Sequence, residues 1–129
     1  PYSDTGSLCV YAGTSAGKAL EVVDLVMAEF HNLKENPLSD EELRRGKDQL
    51  KGNILMGLES SNSRMANLAR QEMYFHQFFT AEEVIARIEA VTADEIQTMA
   101  KRLFIPDRIA ITLLGRLTGI KLTRDRLVC

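Results

Sequence analysis

Residues 39–58 read SDEELRRGKDQLKGNILMGL, and this stretch decides how the chain is organised. Ser39 stands three positions before Glu42, so its hydroxyl can accept from the third helical N–H while the carboxylate returns to the cap N–H. Asp40, Glu41 and Glu42 place negative charge at the positive end of the helix dipole. Leu43, Leu50, Ile54 and Leu58 then follow at helical spacing as an expected buried row. The same Ser/Thr-x-x-Glu signature returns at Thr80–Glu83 and Thr92–Glu95, each time before an apolar-periodic stretch. Three such starts in 129 residues predict a largely helical middle.

Working outward, Ala19, Val22, Val23, Val26, Met27, Phe30 and Leu33 form one face of a helix from about Ala16 to Glu35, stopped by Asn36-Pro37. The long helix loosens at Glu59-Ser60-Ser61-Asn62-Ser63, where short polar side chains compete for the backbone. A further helix carries Met65, Leu68, Ala69 and Met73. Val84, Ile85 and Ile88 mark a short one, and Ile96, Met99, Ala100 and Leu103 the last. The methionines fall mostly on these rows and are expected in the core.

Two segments read differently. Ser7–Thr14 (SLCVYAGT) is short, apolar and partly β-branched, and Arg108–Leu114 (RIAITLL) alternates before Gly115. Both are expected as strands, giving an α+β chain with a helical layer packed on an antiparallel or mixed sheet. Two strands do not make an independent sheet. The expectation is therefore that part of the sheet lies upstream of Pro1, which is not an initiator methionine, and that unpaired edges would drive self-association. Residues 116–129 carry spaced leucines without a period and are left as a C-terminal tail.

Composition excludes several classes. The chain is 45% hydrophobic with 26% charged residues and a net charge of −2, which fits a folded domain and gives no electrostatic reason to bind nucleic acid. No apolar run approaches the roughly 20 residues of a membrane span, and no signal peptide is visible. Cys9 and Cys129 stand near opposite ends and do not form a disulfide framework.

The search for chemistry yields no site. His31, His76, Cys9 and Cys129 are scattered, and Glu72 with His76 makes two ligands on one helix without a third. Cys9 lies in an apolar run and reads as a small packed hydrophobe. Ser60, Ser61 and Ser63 lack a nucleophile-elbow context. Gly13–Lys18 approaches a phosphate loop, but Ala12 replaces the first glycine and Ala19 the magnesium-binding hydroxyl. Arg44, Arg45, Lys47 and Lys51 alternate with acids as a solvated helix face. No catalytic, cofactor-binding or metal-ligating residue is assigned.

The order of motifs nevertheless resembles a known family. Asp4-Thr5-Gly6 before the first apolar run, Leu38–Lys47, Gly52, Glu59-Ser60-Ser61, Ser63-Arg64-Met65, Val91–Ile96 and the closing Leu114-Gly115 are together similar to the pitrilysin/insulinase-type zinc metallopeptidases, the family of the mitochondrial processing peptidase. The resemblance spans residue 2 to about 116. It implies that residues 1–129 are the second half of a C-terminal, non-catalytic domain. Zinc, held on His-x-x-Glu-His, would sit in the N-terminal domain of the parent protein. The Arg and Tyr by which such domains steady a peptide would fall before Pro1, so neither Tyr2 nor Tyr11 inherits that role.

On this resemblance the parent protein is expected to be a zinc metallopeptidase and this chain alone non-catalytic, with enzyme status left open. The chain would wall a peptide chamber and help position a peptide substrate for a zinc-bearing N-terminal domain or subunit. The alternative it implies is a structural subunit of the same fold without peptidase activity. A third reading is a helical scaffold outside the family. Bacterial members place such a protein in the cytoplasm or the cell envelope.

Overall fold

The computed structural model describes residues 5–129. Five α-helices follow one another: α1 (Ala19–Glu35), α2 (Asp40–Gly57), α3 (Ser61–Phe75), α4 (Ala81–Ala90) and α5 (Ala93–Leu103). Short 3-10 turns occupy Ala16–Lys18, Pro106–Arg108 and Arg124–Arg126. By its internal contacts the chain divides into two units. Among the described residues, one holds Ser39–Ala93 together with Thr5 and Gly6, and the other holds Ser7–Leu38 and Asp94–Cys129.

Helix boundaries follow local chemistry. At α2, Ser39 Oγ accepts the Glu42 N–H at 3.3 Å while Glu42 Oε2 accepts the Ser39 N–H at 3.1 Å. At α4, Thr80 Oγ1 accepts the Glu83 N–H at 3.2 Å and Glu83 Oε2 accepts the Thr80 N–H at 2.8 Å. Both capping boxes therefore form as expected. The α5 helix begins at Ala93, directly after Thr92. Between α2 and α3 the chain turns, and Ser60 Oγ accepts the Ser63 N–H as the new cap. α3 ends on His76 in the left-handed conformation, φ 49° and ψ 32°, a stop that its sequence does not advertise.

In the first unit α2 packs on α4. Leu43, Lys47, Lys51, Ile54 and Leu58 are half-buried at intervals of three and four, as are Val84, Ile85 and Ile88 of α4. Leu50, expected in this row, is exposed at its margin. Two lysines fasten the contact. Lys47 Nζ donates to the Glu89 carbonyl at 2.7 Å in the last turn of α4, and Lys51 bridges Asp48 at 2.9 Å and the Glu89 carboxylate. Gln71 of α3 is buried and accepts the Phe79 N–H at 2.7 Å, and Arg87 lies 4.3 Å above the Phe79 ring.

The second unit is built on α1. Val23 and Met27 are buried with Leu127, and Val26, Phe30, Ile109, Leu113 and Leu122 pack around them. The helical face read from periodicity is thus the face used. Phe30 stacks on Phe104 with centroids 4.0 Å apart. Gln97 of α5 donates to the Lys34 carbonyl at 3.0 Å, satisfying an orphan acceptor at the end of α1. The tail is part of this unit. Lys34 Nζ donates to the Cys129 carbonyl, Cys129 Sγ contacts the Phe104 carbonyl at 3.4 Å, and Arg126 Nη1 reaches both oxygens of Asp24 at 2.8 and 2.7 Å. Gly119, with φ of 80°, sits third in the turn closed by Ile120 N–H to the Leu117 carbonyl, where a side chain would be strained.

The expected sheet is not there: among the described residues no strand forms, and the α+β reading is corrected to an all-helical one. A helix closes its hydrogen bonds within one segment, whereas a strand needs a neighbouring ladder. Ser7–Thr14 runs as an irregular exposed segment. Arg108 ends a 3-10 turn, and residues 109–114 lie against α1 without pairing. Their alternation still tells inside from outside: Ile109 and Leu113 are half-buried, while Ala110, Thr112 and Leu114 are exposed.

Leu127→Ala should lower stability by about 2–4 kcal/mol by opening a cavity against α1, whereas Leu50→Ala should cost less than about 1 kcal/mol. Ser39→Ala should fall between them at about 1 kcal/mol. Urea unfolding followed by circular dichroism measures all three.

Candidate functional site

The residues singled out for chemistry do not converge. His31 and His76 are both exposed, and His76 Nδ1 lies 4.0 Å from Glu72 at the end of α3, so the two share a helix face. Cys9 is exposed, which corrects its reading as a packed hydrophobe, and Cys129 is half-buried at the end of the tail. Among the described residues no three of His, Cys, Asp or Glu gather into a group able to hold a metal ion. Gly13–Ser15 is irregular and Ala16–Lys18 forms a 3-10 turn, its Lys18 N–H spent on the Ser15 carbonyl at 3.0 Å. No described helix is long and apolar enough to cross a membrane.

One open depression lies in the second unit, between α1 and the tail, with Asp24, Met27, His31, Arg126 and Cys129 on its walls. Its strongest charges are already committed, since Arg126 holds Asp24. That leaves little to grip a polar ligand.

The distinctive feature is apolar surface. Tyr11 is 96% exposed and Leu114 fully exposed, and Leu8, Val10, Met65, Met73 and Phe75 also face solvent. Of the five methionines only Met27 is buried; Met56, Met65, Met73 and Met99 are exposed, which corrects their placement in the core. The accessible surface is 10268 Å². A folded monomer of 14.4 kDa exposes about 6,800 Å². Two independent bodies of half that mass would together expose about 8,200 Å². An excess of about 3,400 Å² on the first count, or about 2,000 Å² on the second, therefore remains. Periodicity finds a helix face but not what covers it, which is why the sequence placed these side chains in a core.

Comparison with known proteins gives this surface a context. Residues 1–50 match the family described as the peptidase M16 inactive domain. An uncharacterized zinc protease of Bacillus subtilis is 30% identical over 106 residues, covering 82% of this chain and 26% of that protein. The chain belongs to the peptidase M16 family, within its inactive domain. An uncharacterized zinc protease of Mycobacterium leprae is 29% identical over 114 residues, 88% of this chain and 25% of that protein. Subunit alpha of the rat mitochondrial-processing peptidase is 29% identical over 119 residues, 92% of this chain and 22% of that subunit. The M16 chain thus spans about a quarter of the length of the curated relatives it matches. The family resemblance carried by the order of motifs is borne out.

A helix cap and an ion-pair cluster in the first unit contribute to its pH response. The Ser39 hydroxyl and N–H hold Glu42 below the usual 4.5, and Lys51 holds Asp48 below 3.8. Glu89 and then Asp48 raise Lys51 above 10.5. The two carboxylates add stability that is fully present above 4.5 and is lost as pH falls through their lowered values. Lys51 adds stability that is fully present below 10.5 and is lost as pH rises through its raised value. Thermal melts across pH should show a plateau with a fall at each end. Glu42→Gln should flatten the acid side and Lys51→Met the alkaline side.

Proposed function

We propose that this M16 chain is a non-catalytic piece of a zinc metalloendopeptidase, the second half of its C-terminal inactive domain. It walls a peptide chamber and helps to position an extended peptide for a zinc-bearing N-terminal domain or subunit. The match to an inactive domain carries the reading. Relatives named zinc proteases support the chemistry of the parent, and a relative named as a subunit supports a partner. The excess of accessible surface, with Tyr11 and Leu114 exposed, supports a neighbour that covers it.

Zinc does not fit the residues described here. No cluster of three ligands exists among them, and Glu72 with His76 forms an exposed pair 4.0 Å apart at a helix end. In the proposed division of labour the metal and its activated water belong to the other domain. This chain contributes shape.

The test compares the chain alone with the full parent protein on a flexible peptide in the presence of zinc. The chain alone should cleave nothing, and the parent should cleave in a chelator-sensitive way. Chelator-sensitive cleavage by the chain alone would refute the proposed role. A parent that folds but never cleaves would replace it with a structural subunit.

A further inference from the structure

The tail after Leu114 keeps its backbone hydrogen bonds to itself. Ile120 N–H donates to the Leu117 carbonyl at 3.0 Å, Arg126 N–H to Thr123 at 3.2 Å and Leu127 N–H to Arg124 at 2.9 Å. Among the described residues no backbone-to-backbone bond joins it to α1 or α5. It is fastened instead through side chains. Arg126 Nη1 grips both oxygens of Asp24, and Lys34 Nζ donates to the Cys129 carbonyl. Arg124 Nη2 donates to the Pro106 carbonyl at 3.0 Å, and Cys129 Sγ donates to the Phe104 carbonyl at 3.4 Å.

Its apolar grip is narrow. Leu127 is the one buried residue of the tail, set against Val23 and Met27, while Leu117, Ile120 and Leu122 are half-buried. Two glycines precede this anchor with positive φ, Gly115 at 151° and Gly119 at 80°. A Cβ at either would meet no atom within 4 Å, so the surroundings are open and the backbone can turn there as other residues resist doing. A segment with few buried contacts and no ladder to its neighbour opens at lower free energy than the helices beneath it.

Of the links to α1, Arg126 with Asp24 joins two full and opposite charges. Their side chains are 38% and 54% exposed, so dissolved salt reaches and screens the pair.

We propose that residues 115–129 form a salt-sensitive strap. Hinged at Gly115 and Gly119 and latched by Arg126 on Asp24, it lifts off α1 as a unit while the helices stay folded. Lifting uncovers Val23 and Met27, so ionic strength sets how much of the apolar face of α1 is presented. The strap requires neither zinc nor peptide and does not depend on the peptidase reading.

Native-state hydrogen exchange of the full chain, followed by NMR in urea below the unfolding transition, tests it. The Arg126 and Leu127 amides should exchange at one common free energy, lower than that of the α1 amides and with a smaller dependence on urea. Raising potassium chloride from about 0.1 M to about 1 M cuts the screening length from about 10 Å to about 3 Å. Both amides should then exchange about two- to fivefold faster. Asp24→Asn should speed them by a similar factor and abolish the salt response, and Asp24→Arg combined with Arg126→Asp should restore both. The salt series on the unaltered chain decides the matter even if a variant misfolds. Tail amides that exchange only together with α1, at the same urea dependence, would overturn the strap. So would amides that open at unequal free energies, or that ignore both salt and Asp24→Asn.

Discussion

Every regular element in the described part of this chain closes its backbone hydrogen bonds within itself. That constraint governs the rest. The five helices exist because each supplies its own ladder, and two of them because a capping box satisfies their first turn. Segments that would need a neighbour, at 7–14 and 109–114, stay irregular and carry Tyr11 and Leu114, the most exposed of the large apolar side chains.

Packing within each unit is correspondingly economical. The first unit relies on half-buried leucine, isoleucine and valine between α2 and α4, fastened by Lys47 and Lys51 at Glu89. In the second, a small core of Val23, Met27 and Leu127 is closed by a tail whose link to Asp24 lies at the surface and whose link to Lys34 is half-buried. Ion pairs that exposed contribute little by themselves, so the apolar contacts carry most of the stability. A chain so constructed keeps more surface than its mass calls for. That excess connects its fold to its proposed place inside a larger peptidase.

Much of the helical layer was legible. Ser39 and Thr80 announced their helices, Asn36-Pro37 ended α1, and the face bearing Val23 and Met27 was the one buried. The sheet was misread because alternation along Arg108–Leu114 records which residues face inward but cannot supply a pairing partner. Met65 and Met73 were misplaced for a related reason: spacing defines a face, and its occupant lies elsewhere. Leu127 was missed because a single leucine in an aperiodic tail carries no local signal. The absence of an assigned catalytic residue followed from scattered His and Cys positions. The family was legible in the order of weak motifs, none of them sufficient singly.

The most direct test of the surface excess is hydroxyl-radical footprinting of Leu8, Tyr11 and Leu114, in the chain alone and in the full parent protein. Rapid labelling in the chain and strong protection in the parent is the expected result. Equal labelling in both would mean that the exposed apolar surface serves no neighbour, and would contradict the account.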